Sequence, residues 1–377
     1  MGLDAARARA ERPRKLSLAM PAPRVKGDWK LGSEKGTAEV AVDADAIAIG
    51  DALRVEWLDV DGVEIGDHRL TVRVAGGDAL ELSMLGGAFQ NVANAMLDAF
   101  DAAVSKGLML DDGAPVAKPF DVRLNGKDEA RVQVHENGLA VLRVKEPFAL
   151  GFGRVEAIVR EEWVVRAGTL TLTHAGPRFD ELQRTLEQAL AASRAALSQK
   201  VTALLADAGP MKARALAAQL RDGIAVAKSA LEATWPGAFA KLTERGALPD
   251  RAPRLQALLA RATGEPWAGM KLPADAREND AGPALFFVVP VEKGELAFEV
   301  ASEADHATYR FAGEGCTPER LAQAMVEARF RREPVYAPAD EVARGEWRMA
   351  LRRQWALPML RSWFKGREAH GGAPNAD

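Results

Sequence analysis

The densest run of chemically capable side chains lies late in the chain. Trp347, Leu351, Trp355, Met359 and Trp363 recur every four residues, with Phe364 adjacent. Arg344, Arg348, Arg352, Arg353, Arg361, Lys365 and Arg367 stand among them. On one helix, interrupted only at Pro358, this spacing gathers the indoles into a stripe and surrounds them with positive charge. Such a helix suits binding, and two surfaces fit it. It can lie on an anionic membrane, or its tryptophans can pack in a core while the arginines meet water or acidic protein. Tryptophan in soluble proteins is mostly core, which favours the second. The candidate interaction surface is Trp347, Arg348, Arg352, Arg353, Trp355, Arg361, Trp363 and Lys365.

No catalytic set assembles elsewhere. His68, His135, His174, His306 and His370 are far apart, and none has a second ligand at helical or finger spacing. Asp59-Val60-Asp61-Gly62 lacks the further oxygen ligands and the closing Glu of a calcium loop, so it reads as a hairpin turn. Gly151-Phe152-Gly153 lacks the third glycine of a dinucleotide site and opens no helix. There is no P-loop and no Gly-x-Ser-x-Gly elbow. Cys316 precedes Thr317-Pro318, a helix start that can activate a thiol, but no histidine is matched to it as a base. Nothing calls for a metal or a cofactor, and the chain reads as non-enzymatic.

Composition bounds the class. The 377 residues suffice for two or three domains, and 27% charged with 48% apolar residues is ordinary for a soluble globular protein. Cys316 is the only cysteine, which excludes an intrachain disulfide and fits a reducing cytoplasm. No run reaches the roughly 18 apolar residues of a membrane span. The net charge of −3 is unevenly spread: residues 36–110 hold thirteen acids against four bases, and residues 320–367 hold eleven bases against five acids.

The elements that must position these groups show a repeat. Leu80-Glu81-Leu82-Ser83-Met84-Leu85-Gly86 runs into a helix bearing Phe89, Val92, Met96 and Phe100. Ninety residues on, Leu170-Thr171-Leu172-Thr173-His174-Ala175-Gly176 runs into Phe179, Leu182, Leu186 and Leu190. Alternating strands joined by Asp-Gly and Gly-Gly turns precede each, an antiparallel meander. Leu150-Gly151-Phe152-Gly153-Arg154-Val155 matches Val55-Glu56-Trp57-Leu58-Asp59-Val60 in its apolar and aromatic offsets. Repetition of this kind fixes the fold class before finer signals do.

These strand, glycine-corner and helix segments resemble the pleckstrin-homology-like (PH-like) superfamily. The resemblance spans roughly residues 24–107 and 118–195. It implies two small, partly open barrels of about seven strands, each covered at one end by its C-terminal helix. The family's phosphoinositide binders carry basic residues after the first strand. Lys26, Lys30 and Lys35 lie near that place, but the run of basics is absent and the surrounding acids repel anionic headgroups.

The expected class is α+β: tandem PH-like antiparallel β-barrels each closed by a C-terminal helix, a helical hairpin module and a C-terminal α+β unit. The segments are a flexible basic arm over 1–23, barrels over 24–110 and 118–195, and a helical module over 196–265. In that module Met211 to Ala233 reads as one helix. A linker follows over 266–283, then an α+β unit over 284–335 read as a reduced third repeat. The basic Trp-rich helix spans 336–367 and a tail 368–377. The expected function is that of an interaction or scaffold protein binding another protein through barrel surfaces or strand edges. A membrane-surface adaptor docking through the basic helix is the alternative, and an enzyme of unrecognised kind the second. No specific nucleic-acid binding is expected.

Overall fold

The computed structural model describes residues 23–108, 115–272, 284–302 and 307–369. Residues 1–22 of the arm expected over 1–23, the Pro273–Pro283 stretch, His306 and the tail beyond 369 lie outside them. The chain divides into two compact units, Met1–Phe100 and Asp101–Asp377. The architecture is α+β, built on three antiparallel sheets.

The first unit holds β1 (Arg24–Leu31), β2 (Glu34–Val42), β3 (Ala46–Ile49), β4 (Leu53–Glu56), β5 (Val60–Gly66), β6 (Arg69–Val74) and β7 (Ala79–Ser83). Their order is β4-β3-β2-β1-β7-β6-β5, so the first strand pairs with the last, Trp29 opposite Leu82. Helix α1 (Phe89–Gly107) follows. Inward residues alternate with outward ones along β6 and β7, burying Leu70, Val72, Leu80 and Leu82, and Val40 and Ile47 join them from β2 and β3. Trp57 is buried with them, and its indole Nε1 donates to the Asp43 carbonyl at 2.9 Å.

The second unit opens with the same order. It holds β8 (Phe120–Leu124), β9 (Asp128–His135), β10 (Gly138–Leu142), β11 (Phe148–Gly151), β12 (Ile158–Glu161), β13 (Val164–Ala167) and β14 (Leu170–Thr173). They run β11-β10-β9-β8-β14-β13-β12 and lead into α2 (Phe179–Leu204). The corner before each helix is the same. Met84 and His174 take φ of 56° and 60°, and Gly86 and Gly176 take 55° and 57°. Only the glycines hold that left-handed conformation without steric cost. Single-turn helices at Trp57–Asp59 and Phe152–Arg154 stand between the fourth and fifth strands of each copy. They turn the chain before those strands can pair. The ends of each sheet therefore stay unbonded to each other, and neither sheet closes into a barrel.

The remainder surrounds a third sheet. Helix α3 (Pro210–Gln219) leads to β15 (Ala225–Ala227), α4 (Lys228–Thr234), α5 (Ala238–Gly246) and α6 (Ala252–Ala260). Strands β16 (Trp267–Lys271), β17 (Ala284–Pro290), β18 (Leu296–Val300) and β19 (Ala307–Phe311) follow. Five helices come next: α7 (Pro318–Glu327), α8 (Glu333–Tyr336), α9 (Ala339–Arg344), α10 (Arg348–Arg353) and α11 (Ala356–Trp363). The last described element is β20 (Phe364–Ala369). The six strands pair in simple sequential order from β15 to β20.

Both faces of this sheet are covered. Leu285, Phe287 and Val289 pack with Leu197 and Val201 of α2, Leu216 of α3 and Phe239 of α5. Phe286, Val288, Phe298 and Phe311 face the other way, onto Leu321 and Met325 of α7 and Leu357, Leu360 and Trp363 of α11. A strand buried on both sides loses its polar alternation, hence the unbroken apolar run Leu285–Val289. Glu299 is the buried exception. Arg251 Nη1 donates to its Oε1 at 2.9 Å and Thr308 Oγ1 to its Oε2 at 2.8 Å.

Three expectations change. The helix expected from Met211 to Ala233 stops at Gln219, because Gly223 at φ 73° turns the chain into β15. Residues 267–271, expected within a linker, form β16 between β15 and β17. The reduced third repeat is not there: β19, the strand before α7, pairs with β18 and β20, whereas β7 and β14 pair with the first strand of their copy. The spacing from Phe311 to Met325 mimics the repeat because any strand covered by an amphipathic helix needs it.

Phe179 is 3% exposed and meets Trp163 edge-on, whereas Phe89 is half-buried against His68. Phe179→Ala is therefore expected to destabilise its unit by about 3–5 kcal/mol. Phe89→Ala should cost the first unit about 1–2 kcal/mol. Urea melts of the two full-length variants compare them, and equal losses would refute the difference in burial.

Candidate binding cleft

The Trp- and Arg-rich segment does not form one helix. Pro358 decides this. A proline inside a helix removes one hydrogen bond and clashes with the carbonyl four residues earlier, here Gln354. The chain accordingly breaks at Gln354, which is extended, and restarts so that Pro358 sits in the first turn of α11, where no intrahelical donor is needed. Gln354 is buried, and its Nε2 donates to the Glu327 carbonyl at 2.6 Å. Gly345, also extended, ends α9.

The breaks scatter the eight candidate residues. Trp363 is 2% exposed in the core of the third sheet, its Nε1 donating to the Glu314 carbonyl at 3.0 Å beneath Arg320. Trp347 is half-buried under the Arg331 guanidinium. Arg361 Nη1 donates to the Pro334 carbonyl at 2.6 Å, and Arg348 Nη1 to the Arg344 carbonyl at 3.1 Å. Lys365 lies exposed on β20. Arg352, Arg353 and Trp355 are brought together.

These three line a cleft of about 450 Å³ opposite the loop from Lys145 to Pro147 and the strand residues Phe148 and Ala149. Leu108, Glu327, Gln354 and Pro358 complete it. Trp355 is 37% exposed and Phe148 half-buried, so the cleft offers aromatic surface. Lys145, Arg352 and Arg353 offer positive charge against Glu146 and Glu327. Strand β11 lies at the end of its sheet. Phe152 N donates to the Asn137 carbonyl at 2.9 Å, and in an antiparallel ladder such bonds fall on alternate residues. Ala149, three residues earlier, therefore points its N–H away from β10.

Glu327 is the more deeply placed carboxylate of the cleft, its side chain partly buried where that of Glu146 is exposed. Burial pushes its carboxyl above the usual carboxylate range, against the downward pull of Gln323, Arg154, Trp355 and Arg329. Gln323 Nε2 donates to it at 3.0 Å and Arg154 Nη1 stands 3.6 Å away. Among the described residues no histidine, cysteine or hydroxyl side chain lines the cleft beside it. Elsewhere, burial pushes the Cys316 thiol up to about 11, the reverse of activation. Among the described residues no group of three or more His, Cys, Asp or Glu could hold a metal ion, and no helix is long and apolar enough to cross a membrane.

Sequence reasoning reached one wall of this cleft and missed the other. Lys145-Glu146-Pro147 and Glu327 belong to no motif or spacing that marks them out in the sequence.

A carboxyl whose pKa is raised on folding binds its proton more tightly in the native state, so its contribution to stability falls as pH rises through the window above the unfolded value. Glu327→Gln is expected to gain stability relative to wild type at about pH 7.5 and to gain less at about pH 4.5. Thermal melts at both values measure it, and an equal shift at both would mean that Glu327 titrates normally. The sequence matches no protein-family model and no curated protein.

Proposed function

We propose that the chain is a non-enzymatic scaffold whose two seven-stranded units are PH-like and whose second unit binds an extended, acidic segment of another protein. The observation that carries this is the edge of β11, which pairs with no further strand among the described residues and lies in the same cleft as Arg352, Arg353 and Trp355. An added strand takes its affinity from backbone hydrogen bonds and its specificity from pockets for alternate side chains. Here the backbone donor is Ala149. The arginines suit a carboxylate side chain, and Trp355 with Phe148 suits an apolar one. Support for PH-like units comes from the strand order, identical in both copies, with the first strand beside the last and a helix after it.

Peptide display against the full chain tests the reading. The enriched peptides are expected to be acidic and extended, and to lose at least about tenfold in affinity to Arg352→Glu/Arg353→Glu. Ala149→Pro should abolish binding while leaving the β10–β11 ladder intact, because it removes only the outward N–H. Enriched peptides that bind both variants as tightly as wild type would overturn the proposal, as would enrichment of none.

A further inference from the structure

A second cavity, between α2, α3 and the turn after β11, shares no lining residue with the cleft. It measures about 350 Å³, at the small end of the range for ligand pockets. Its floor is Phe152, Leu197, Ala217 and Ala218, from the turn after β11 and from helices α2 and α3. Over that floor stand three guanidiniums, Arg194, Arg214 and Arg221, and two hydroxyls, Ser193 and Ser198.

Its shape depends on one close approach. A Cβ at Gly153 would meet the Asp222 carbonyl oxygen at 1.8 Å, so only glycine lets the turn seat against the end of α3. Asp222 is held there by Lys271 Nζ at 2.7 Å and by the Leu272 N–H at 2.7 Å. The one carboxylate in the cavity wall is thus neutralised by its own partner. Glu156, at the rim, is exposed and 3.6 Å from Arg221. Arg194 is fixed by donating to the Val155 and Glu156 carbonyls.

The remaining polar groups have no such employment. Ser193 is 3% exposed, and it, Ser198 and Arg214 have no hydrogen-bond or ion-pair partner among the described residues. A hydroxyl that lines a cavity without a protein partner is free to hydrogen-bond an occupant. With Asp222 taken by Lys271 and Glu156 exposed at Arg221, the three guanidiniums leave the cavity with an excess of positive charge, which suits an oxyanion bound through paired donors. The apolar floor specifies a body attached to it.

We infer that this cavity binds a small amphipathic oxyanion, a phosphate or carboxylate on an apolar group. The anion lies among Arg194, Arg214 and Arg221, and the apolar body lies on Phe152 and Leu197. Saturation-transfer NMR and calorimetry on the full chain test it, with phenyl phosphate and benzoate as probes and phenol and inorganic phosphate as the two halves. One or both probes should bind with a Kd of about 1 mM or tighter, and phenol should bind more weakly. Arg214→Ala/Arg221→Ala, at residues outside the core, should weaken the bound probe by at least about tenfold while leaving the melting temperature near that of wild type. The relative affinities of the two probes assign the headgroup. Absence of binding by both at about 10 mM would overturn the inference. Binding unchanged in the double variant, or no stronger than that of phenol, would overturn it equally.

Discussion

Helix α2 is buried twice along its length. Leu182, Leu186 and Leu190 belong to the core of the second seven-stranded sheet, and Leu197 and Val201 belong to the core beneath the six-stranded one. Its 26 residues span about 39 Å, and no break separates the two halves. Because an unbroken helix is stiff, the two sheets are held at a fixed angle by the sequence of one segment. Gly153 seated on Asp222 adds a second point of contact, and two points of contact resist the rotation that one would allow. Both cavities lie where elements tied to this helix meet, so their shapes depend on it.

The six-stranded sheet is stable on both faces only because its polar groups are matched within it. Glu299 shares a face with Ala297, in an apolar core, and is held by Arg251 and Thr308. An unpaired carboxylate at that depth would cost several kcal/mol. Lys271 and Asp222 solve the same problem at the end of β16. Burying charges in pairs adds little net stability, but it penalises any other register of the strands that carry them. The pairs thus help to specify which strand lies beside which.

The tandem units were legible because their signals are local and occur twice. The corner from Leu82 to Phe89 and its copy from Leu172 to Phe179 carry the same turn and the same helical stripe, and Trp57 and Phe152 mark the same bend. The rest depends on contacts distant in sequence. Met211 to Ala233 has helical periodicity throughout, yet the pairing of Val226 with Ala268 captures its middle as a strand. The aromatic stripe from Trp347 to Trp363 has perfect spacing, but Pro358 acts four residues upstream of itself and separates Trp355 from Trp347. Half of the binding cleft comes from a hairpin loop some two hundred residues earlier, and periodicity carries no information about such a meeting.

The sequential order of the six-stranded sheet has a consequence for synthesis. Sheet two has all its strands by Thr173, and α2 can cover it soon afterwards. Strand β19, by contrast, is made well before β20, with five helices between them. During that interval the nascent chain carries a strand with an apolar side and an unsatisfied backbone edge, the combination that recruits other chains. The residues of α7 to α11 therefore have a task before any partner arrives. They must cover the apolar side of that sheet and bring β20 back to pair the open edge of β19.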